Sequence, residues 1–231
     1  RGRALAADGA RSTAVLADRQ TRGRGRLDRG WASPTGGVWL SMVLDPPLDP
    51  DETPLVTLAA AAALAAVVEE TTPVDPGIKW PNDLLAADGV RPTTAADAPI
   101  DPDRSKIAGI LTERTRHRVV VGVGVNLCVD PAAIPPGSAA ATDGSVDRVG
   151  FVARYLAAVD ALLDAGGPSV LLDAWRARAD TLGRRVRVTT PGGTVRGTAV
   201  DVESPGTLVV ETDDGPVRIA AGDCDHLRPE G

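Results

Sequence analysis

Lysine, asparagine, glutamine, cysteine and aromatic residues are all scarce in this 231-residue chain, and each scarcity excludes something. The two cysteines, Cys128 and Cys224, lie far apart with no metal or redox spacing. That rules out a disulfide framework and favours a reduced, cytoplasmic setting. Six aromatic residues and a net charge of −6 oppose a non-enzymatic nucleic-acid-binding protein, so no nucleic-acid partner is expected. No uninterrupted apolar run reaches the roughly 20 residues of a membrane span, and no leader pattern opens the chain. Neither a membrane nor secretion is expected. His117 and His226 have no cysteine or carboxylate at metal spacing, and neither is given a role.

What is present gains meaning from that background. Of 25 basic residues, only Lys79 and Lys106 are lysine; the only asparagines are Asn82 and Asn126, and the only glutamine is Gln20. All five fall in short irregular segments between bland Ala/Val/Leu runs. A chain this biased towards arginine keeps lysine where a compact ammonium does what a planar guanidinium cannot.

The texture of the chain divides it into an α/β domain over 1–182 and a small β-barrel over 183–231. The first domain is expected to be of α+β type, a mixed but largely antiparallel sheet with flanking helices. The chain opens without Met on Arg1 to Ala7, which reads as a helix already under way, so residues are expected to precede it. Thr13 to Ala17 suits a buried strand, and Val38 to Leu44 another. Leu55 to Glu70 is the clearest helix, with Thr53 as its cap and Pro54 at its first position. Ile78 to Trp80, Leu84 to Ala86, Ile107 to Arg114 and Val119 to Val125 read as strands. Residues 87–105, rich in Asp, Pro and Thr, read as a surface excursion. Helical spacing runs over Val149 to Leu163 and Val170 to Leu182. Beyond Gly183, four or five short alternating strands separated by Pro/Gly and Asp/Gly turns describe the barrel.

Three segments can carry chemistry. In Gln20 to Trp31, four arginines alternate with glycine, so backbone N–H groups and guanidinium forks could close on a phosphate or carboxylate; a solvated basic loop is the plainer alternative. Lys79 stands beside Trp80 on a core strand, where its ammonium is desolvated unless it meets an anion. Asp83 suits a turn after Asn82 better than a Mg²⁺ ligand. Gly109, Gly122 and Gly124 interrupt strong strands, which marks close approach of a ligand or a neighbouring backbone. The Gly122-x-Gly124 pair is no dinucleotide fingerprint, since no helix with a third glycine follows.

In this order, Gly23-Arg24-Gly25-Arg26 with Arg29 and Trp31, then Lys79-Trp80-Pro81-Asn82-Asp83-Leu84, Lys106-Ile107-Ala108-Gly109-Ile110-Leu111 and Gly122-Val123-Gly124-Val125-Asn126 resemble the biotin–protein ligase family over essentially the whole chain. The resemblance implies a two-step reaction: biotin and MgATP form biotinyl-5′-adenylate, and a lysine of the biotin carboxyl carrier domain of an acetyl-CoA or related acyl-CoA carboxylase then takes the biotin. It implies catalytic roles for Lys79 and Arg26. It places Gln20, Gly23, Arg24, Gly25, Arg29, Trp31, Asn82, Lys106, Gly109, Gly122, Gly124 and Asn126 around biotin and the adenylate. The Ser-Thr-Asn segment of that family is missing ahead of the loop, so an N-terminally incomplete version is expected. No helix-turn-helix pattern precedes the ligase motifs. The nearest alternative is a lipoyl- or octanoyl-protein ligase, for which different glycine and arginine motifs are expected.

Overall fold

The computed structural model describes residues 2–7, 13–86, 104–115, 118–144 and 146–227. Six strands form the main sheet: β1 (Thr13–Ala17), β4 (Val38–Leu44), β5 (Pro76–Lys79), β6 (Asp83–Ala86), β7 (Ser105–Arg114) and β8 (Val119–Val125). A two-residue hairpin, β2 (Gly23–Arg24) and β3 (Gly30–Trp31), stands apart from it. The sheet order is β1-β4-β8-β7-β6-β5, and every neighbouring pair is antiparallel. β1 is half-exposed at one edge rather than buried as expected, because a single partner covers it.

One face of the sheet is covered by α2 (Thr53–Thr71), on which α3 (Arg148–Asp164) and α4 (Pro168–Arg176) pack in turn to enclose the main core. α2 is apolar on nearly every side, and with the turn before it is long and apolar enough to cross a bilayer. Here it is the central core helix, wedged between the sheet and α3 with twelve buried residues. Its start differs from the expectation. Asp49 and Glu52 form a reciprocal capping box on a 3₁₀ turn over Pro50–Glu52, which places Thr53 inside the helix. α4 also ends earlier than its spacing implies, because residues 178–180 turn away to bond the edge strand β5. The Ile78 N–H donates to the Arg178 carbonyl (2.8 Å) and the Asp180 N–H to the Ile78 carbonyl (2.9 Å). The short helix α1 (Gly2–Ala7) packs on the opposite face against β4 and β8. The excursion expected over 87–105 lies outside the described residues as far as 103, as does His117.

A second antiparallel sheet follows: β9 (Arg185–Thr190), β10 (Gly193–Glu203), β11 (Thr207–Thr212), β12 (Gly215–Ile219) and β13 (Asp223–His226), in the order β12-β11-β10-β9-β13. Its two edges do not pair with each other, so it is barrel-like without closing. A buried joint ties it to the first sheet. The Thr181 hydroxyl accepts from the Trp80 N–H (2.9 Å) and lies 3.0 Å from His226 Nε2. The Trp80 indole N–H donates to the Gly206 carbonyl (3.0 Å).

At the N-terminus of α3 the Asp147 carboxylate accepts from the N–H groups of Val149 (3.1 Å) and Gly150 (3.0 Å). Asp147→Ala should cost about 1 kcal/mol, read as a lower urea midpoint with an unchanged slope.

Candidate functional site

The side-chain parity of three strands builds the site. Along β8, Val119, Val121, Val123 and Val125 enter the helix-covered core, so Gly122 and Gly124 fall on the other face. On β7, Ala108 and Ile110 face the core and Gly109 faces away with them. Simple alternation would send Lys106 into the core beside Ala108. A bulge prevents this: Leu84 pairs with Ala108 but Leu85 with Lys106, which leaves Ile107 as the extra residue. Ile107 joins the core and Lys106 turns out onto the glycine face.

Above this floor lies a cavity of about 380 Å³. Its roof is the Gln20–Trp31 loop, and its wall includes Asn82, Asp83, Glu113 and, from the second sheet, Asp223. At the apolar end the Trp31 indole lies directly on the glycines. A Cβ on Gly124 would come within 2.6 Å of its Nε1, and one on Gly109 within 3.2 Å of its ring. The buried Trp31 indole N–H has no acceptor among the described residues. The Lys106 ammonium lies 5.0 Å from the Trp31 ring centroid, a cation–π arrangement, and pairs with Asp83 at 2.6 Å.

The opposite end is cationic. Arg26 donates to the Asn82 side-chain carbonyl (3.0 Å) and to the Gly222 backbone carbonyl (2.8 Å), while Asn82 donates to the Ile110 carbonyl (2.7 Å). Asn82 therefore fixes the guanidinium to the sheet. Arg24 pairs with Glu113 at 3.4 Å, and Arg29 pairs closely with Asp223, whose hydrogen bond and charge raise the guanidinium pKa further. Gln20 accepts from the Ser33 hydroxyl at 3.0 Å. Three carboxylates and five cations thus line one cavity, and each of the three carboxylates contacts one of the cations.

Of the residues singled out in the sequence, Gln20, Arg24, Gly25, Arg26, Arg29, Trp31, Asn82, Asp83, Lys106, Gly109, Gly122 and Gly124 line the cavity. Three do not. Gly23 is a hairpin residue whose close neighbour is the Trp31 carbonyl. Asn126 is buried behind the floor, its backbone bonded to Ile107 and Ala141. Lys79 is only 5% exposed and lies outside the cavity lining. It lies near Cys224, whose thiol is pushed up to about 12 by burial against the lowering pull of that ammonium. Lys106, rather than Lys79, is the lysine inside the cavity. The sequence reading missed Glu113, Asp223 and Gly222, which carry no motif and reach the site only through the fold.

A second cleft of about 340 Å³, lined by Glu69, Asp75, Arg104, Arg178 and Asp180, has mutually paired charges, Arg104 with Asp75 (3.4 Å) and Arg178 with Glu69 (3.3 Å). No group of three His, Cys, Asp or Glu side chains among the described residues is arranged to hold a metal.

Residues 7–129 match the model of the biotin/lipoate A/B protein ligase family, and residues 181–227 match that of the biotin protein ligase C-terminal domain. The chain is 35% identical to a biotin–[acetyl-CoA-carboxylase] ligase of Mycobacterium tuberculosis, covering 93% of this chain and 79% of that one. It is 32% identical to the bifunctional ligase/repressor BirA of Bacillus subtilis, covering 91% of this chain and 65% of that protein. It thus spans just under two thirds of that relative's length. The fold superposes on the biotin protein ligase of Aquifex aeolicus in complex with biotin and ATP, with a TM-score of 0.76, 25% identity, and coverage of 95% and 90% of the two chains.

The glycine floor gives a contrast to measure. Gly124→Ala forces the indole off the floor, whereas a Cβ on Gly122 meets nothing closer than 3.5 Å. The other three tryptophans are buried. Gly124→Ala should therefore red-shift tryptophan emission and increase acrylamide quenching, and Gly122→Ala should leave both as in the wild type.

Proposed function

Because the chain belongs to the biotin/lipoate A/B protein ligase family, we propose that it is an ATP-dependent, AMP-forming biotin–protein ligase acting in the cytoplasm. In the first step a biotin carboxylate oxygen attacks the α-phosphorus of ATP, forming biotinyl-5′-adenylate and releasing pyrophosphate. In the second, the neutral amine of a carrier-domain lysine attacks the acyl carbon, loses a proton and expels AMP. The acceptor on this reading is the biotin carboxyl carrier domain of an acetyl-CoA or related acyl-CoA carboxylase. Residues 1–182 form the catalytic unit and 183–231 the appended one.

The observation that carries the reading is the cavity's two-ended lining. At one end the Trp31 indole rests on the Gly109 and Gly124 backbone beside Lys106, and at the other stand Arg26 and Arg29. A ring system with a carboxylate tail suits the apolar end, entering as the indole lifts off the glycines, with its charge directed at Lys106. An attached phosphate then reaches the arginines, which offer planar donor pairs. Lys106 takes the place expected of Lys79 beside the reacting carboxylate, where a fixed positive charge stabilises the charge that develops on the α-phosphate. Arg26, held by Asn82 and Gly222, closes the roof over the adenylate and excludes water.

Magnesium, when bound, shields the ATP phosphates and assists pyrophosphate departure. The residues present offer it no seat of their own, since Asp83, Glu113 and Asp223 are each engaged by a cation. It would travel with the nucleotide.

The deciding assay is ATP–pyrophosphate exchange with biotin, lipoate or no acid added. Biotin-dependent exchange is expected. Exchange with lipoate alone would assign the chain to the lipoyl side of the family, and absence of exchange with any acid would remove the activity. Lys106→Ala should lower biotin-dependent exchange by about 100-fold or more, the scale of one lost charge-stabilising donor.

A further inference from the structure

The start of β13 meets the cationic end of the site residue by residue. The Gly222 carbonyl accepts from Arg26, Asp223 pairs with Arg29, and Cys224 lies within electrostatic reach of Lys79. These three cations come from two segments far apart in sequence, yet they converge on three consecutive residues of the second sheet. Among the described residues Asp223 supplies the carboxylate paired with Arg29. Arg26 beside it is held by the neutral carbonyls of Asn82 and Gly222, which leaves this end short of negative charge.

We propose that Asp223 is a positioning residue that stands in for a ligand phosphate, holding Arg29 and its loop until the nucleotide phosphates displace it. The inference rests on the ligase reading above. Its direction follows from which partner is anchored. Asp223 belongs to a strand laddered to β9 over four successive pairs, from Asp223 with Thr189 to His226 with Val186. Around Arg29 the loop has, besides the two-residue pairing of β2 with β3, only the bonds from the Gly25 N–H to the Arg29 carbonyl (2.8 Å) and from the Arg29 N–H to the Arg26 carbonyl (3.1 Å). The strand therefore fixes the arginine. A carboxylate and a phosphate use the same guanidinium edge, so the two exclude each other there. The biotin carboxylate is directed at Lys106, whose carboxylate partner is Asp83, so Asp223 does not compete with it.

The test is calorimetric titration of the full chain with ATP, with pyrophosphate and with biotin, each alone. Asp223→Asn removes the charge and keeps the shape; Asp223→Ser serves as a second variant. Both should bind ATP and pyrophosphate more tightly by about two- to fivefold, the scale of an exposed ion pair, with biotin affinity unchanged. In an Arg29→Ala background the same substitutions should have no effect. Without ligand, trypsin should also cleave the Arg22–Arg29 loop faster in the variants than in the wild type. Unchanged or weaker ATP binding, or a gain that survives in the Arg29→Ala background, would overturn the proposal while leaving the ligase reading intact. If the wild-type chain binds biotin but neither ATP nor pyrophosphate, the ligase reading falls and this inference with it.

Discussion

The site depends on the two-residue alternation of β8, which sends Val119, Val121, Val123 and Val125 into the core and turns Gly122 and Gly124, with Val120, to the other side. Odd-numbered valines lock the strand to α2 and the core, and that lock fixes the height of the glycine floor. A neighbouring strand must break the same rule to contribute chemistry. The extra residue at Ile107 moves Lys106 from the packed side to the open side. Regularity in one strand and a single irregularity in the next together put a cation above a smooth apolar surface.

Charge in the cavity is organised by the same economy of parts. Lys106 with Asp83, Arg24 with Glu113 and Arg29 with Asp223 bring residues from the loop, β6, β7 and the second sheet into one electrostatic unit. Pairing lowers the cost of holding five cations close together in a partly enclosed space. The second sheet contributes Asp223 to the cavity wall. Its Gly206 and His226 secure the Trp80 turn, and that turn carries Asn82, which holds Arg26.

Much of this was legible in the sequence, for identifiable reasons. Gly109, Gly122 and Gly124 stood out because glycine weakens a strand, and Lys106 and Asn82 because their residue types are rare in this chain. The strands and the two long helices followed from periodicity and from breakers such as Gly166-Gly167-Pro168. Illegible were the features that arise only when distant segments meet. Nothing local marks Asp223, 194 residues from Arg29, as a member of the site. From sequence, Lys79 takes the catalytic role and Lys106 a lining one, because nothing there reveals that a bulge turns Lys106 onto the cavity side. The capping box at Asp49 and Glu52 was hidden by the more obvious Thr53-Pro54 pair, and the end of α4 by the pairing of residues 178–180 with the edge of the sheet.

The floor of backbone has an evolutionary corollary. Glycine is the smallest residue, so every substitution at positions 109 and 124 adds volume and none removes it. Variation there runs in one direction, towards a floor that lifts the indole resting on it. Room at this end can be gained only from above, through movement or replacement of Trp31. The two surfaces are therefore unequal as evolutionary material: the lower one sets a limit, and the upper one is where the fit can be retuned.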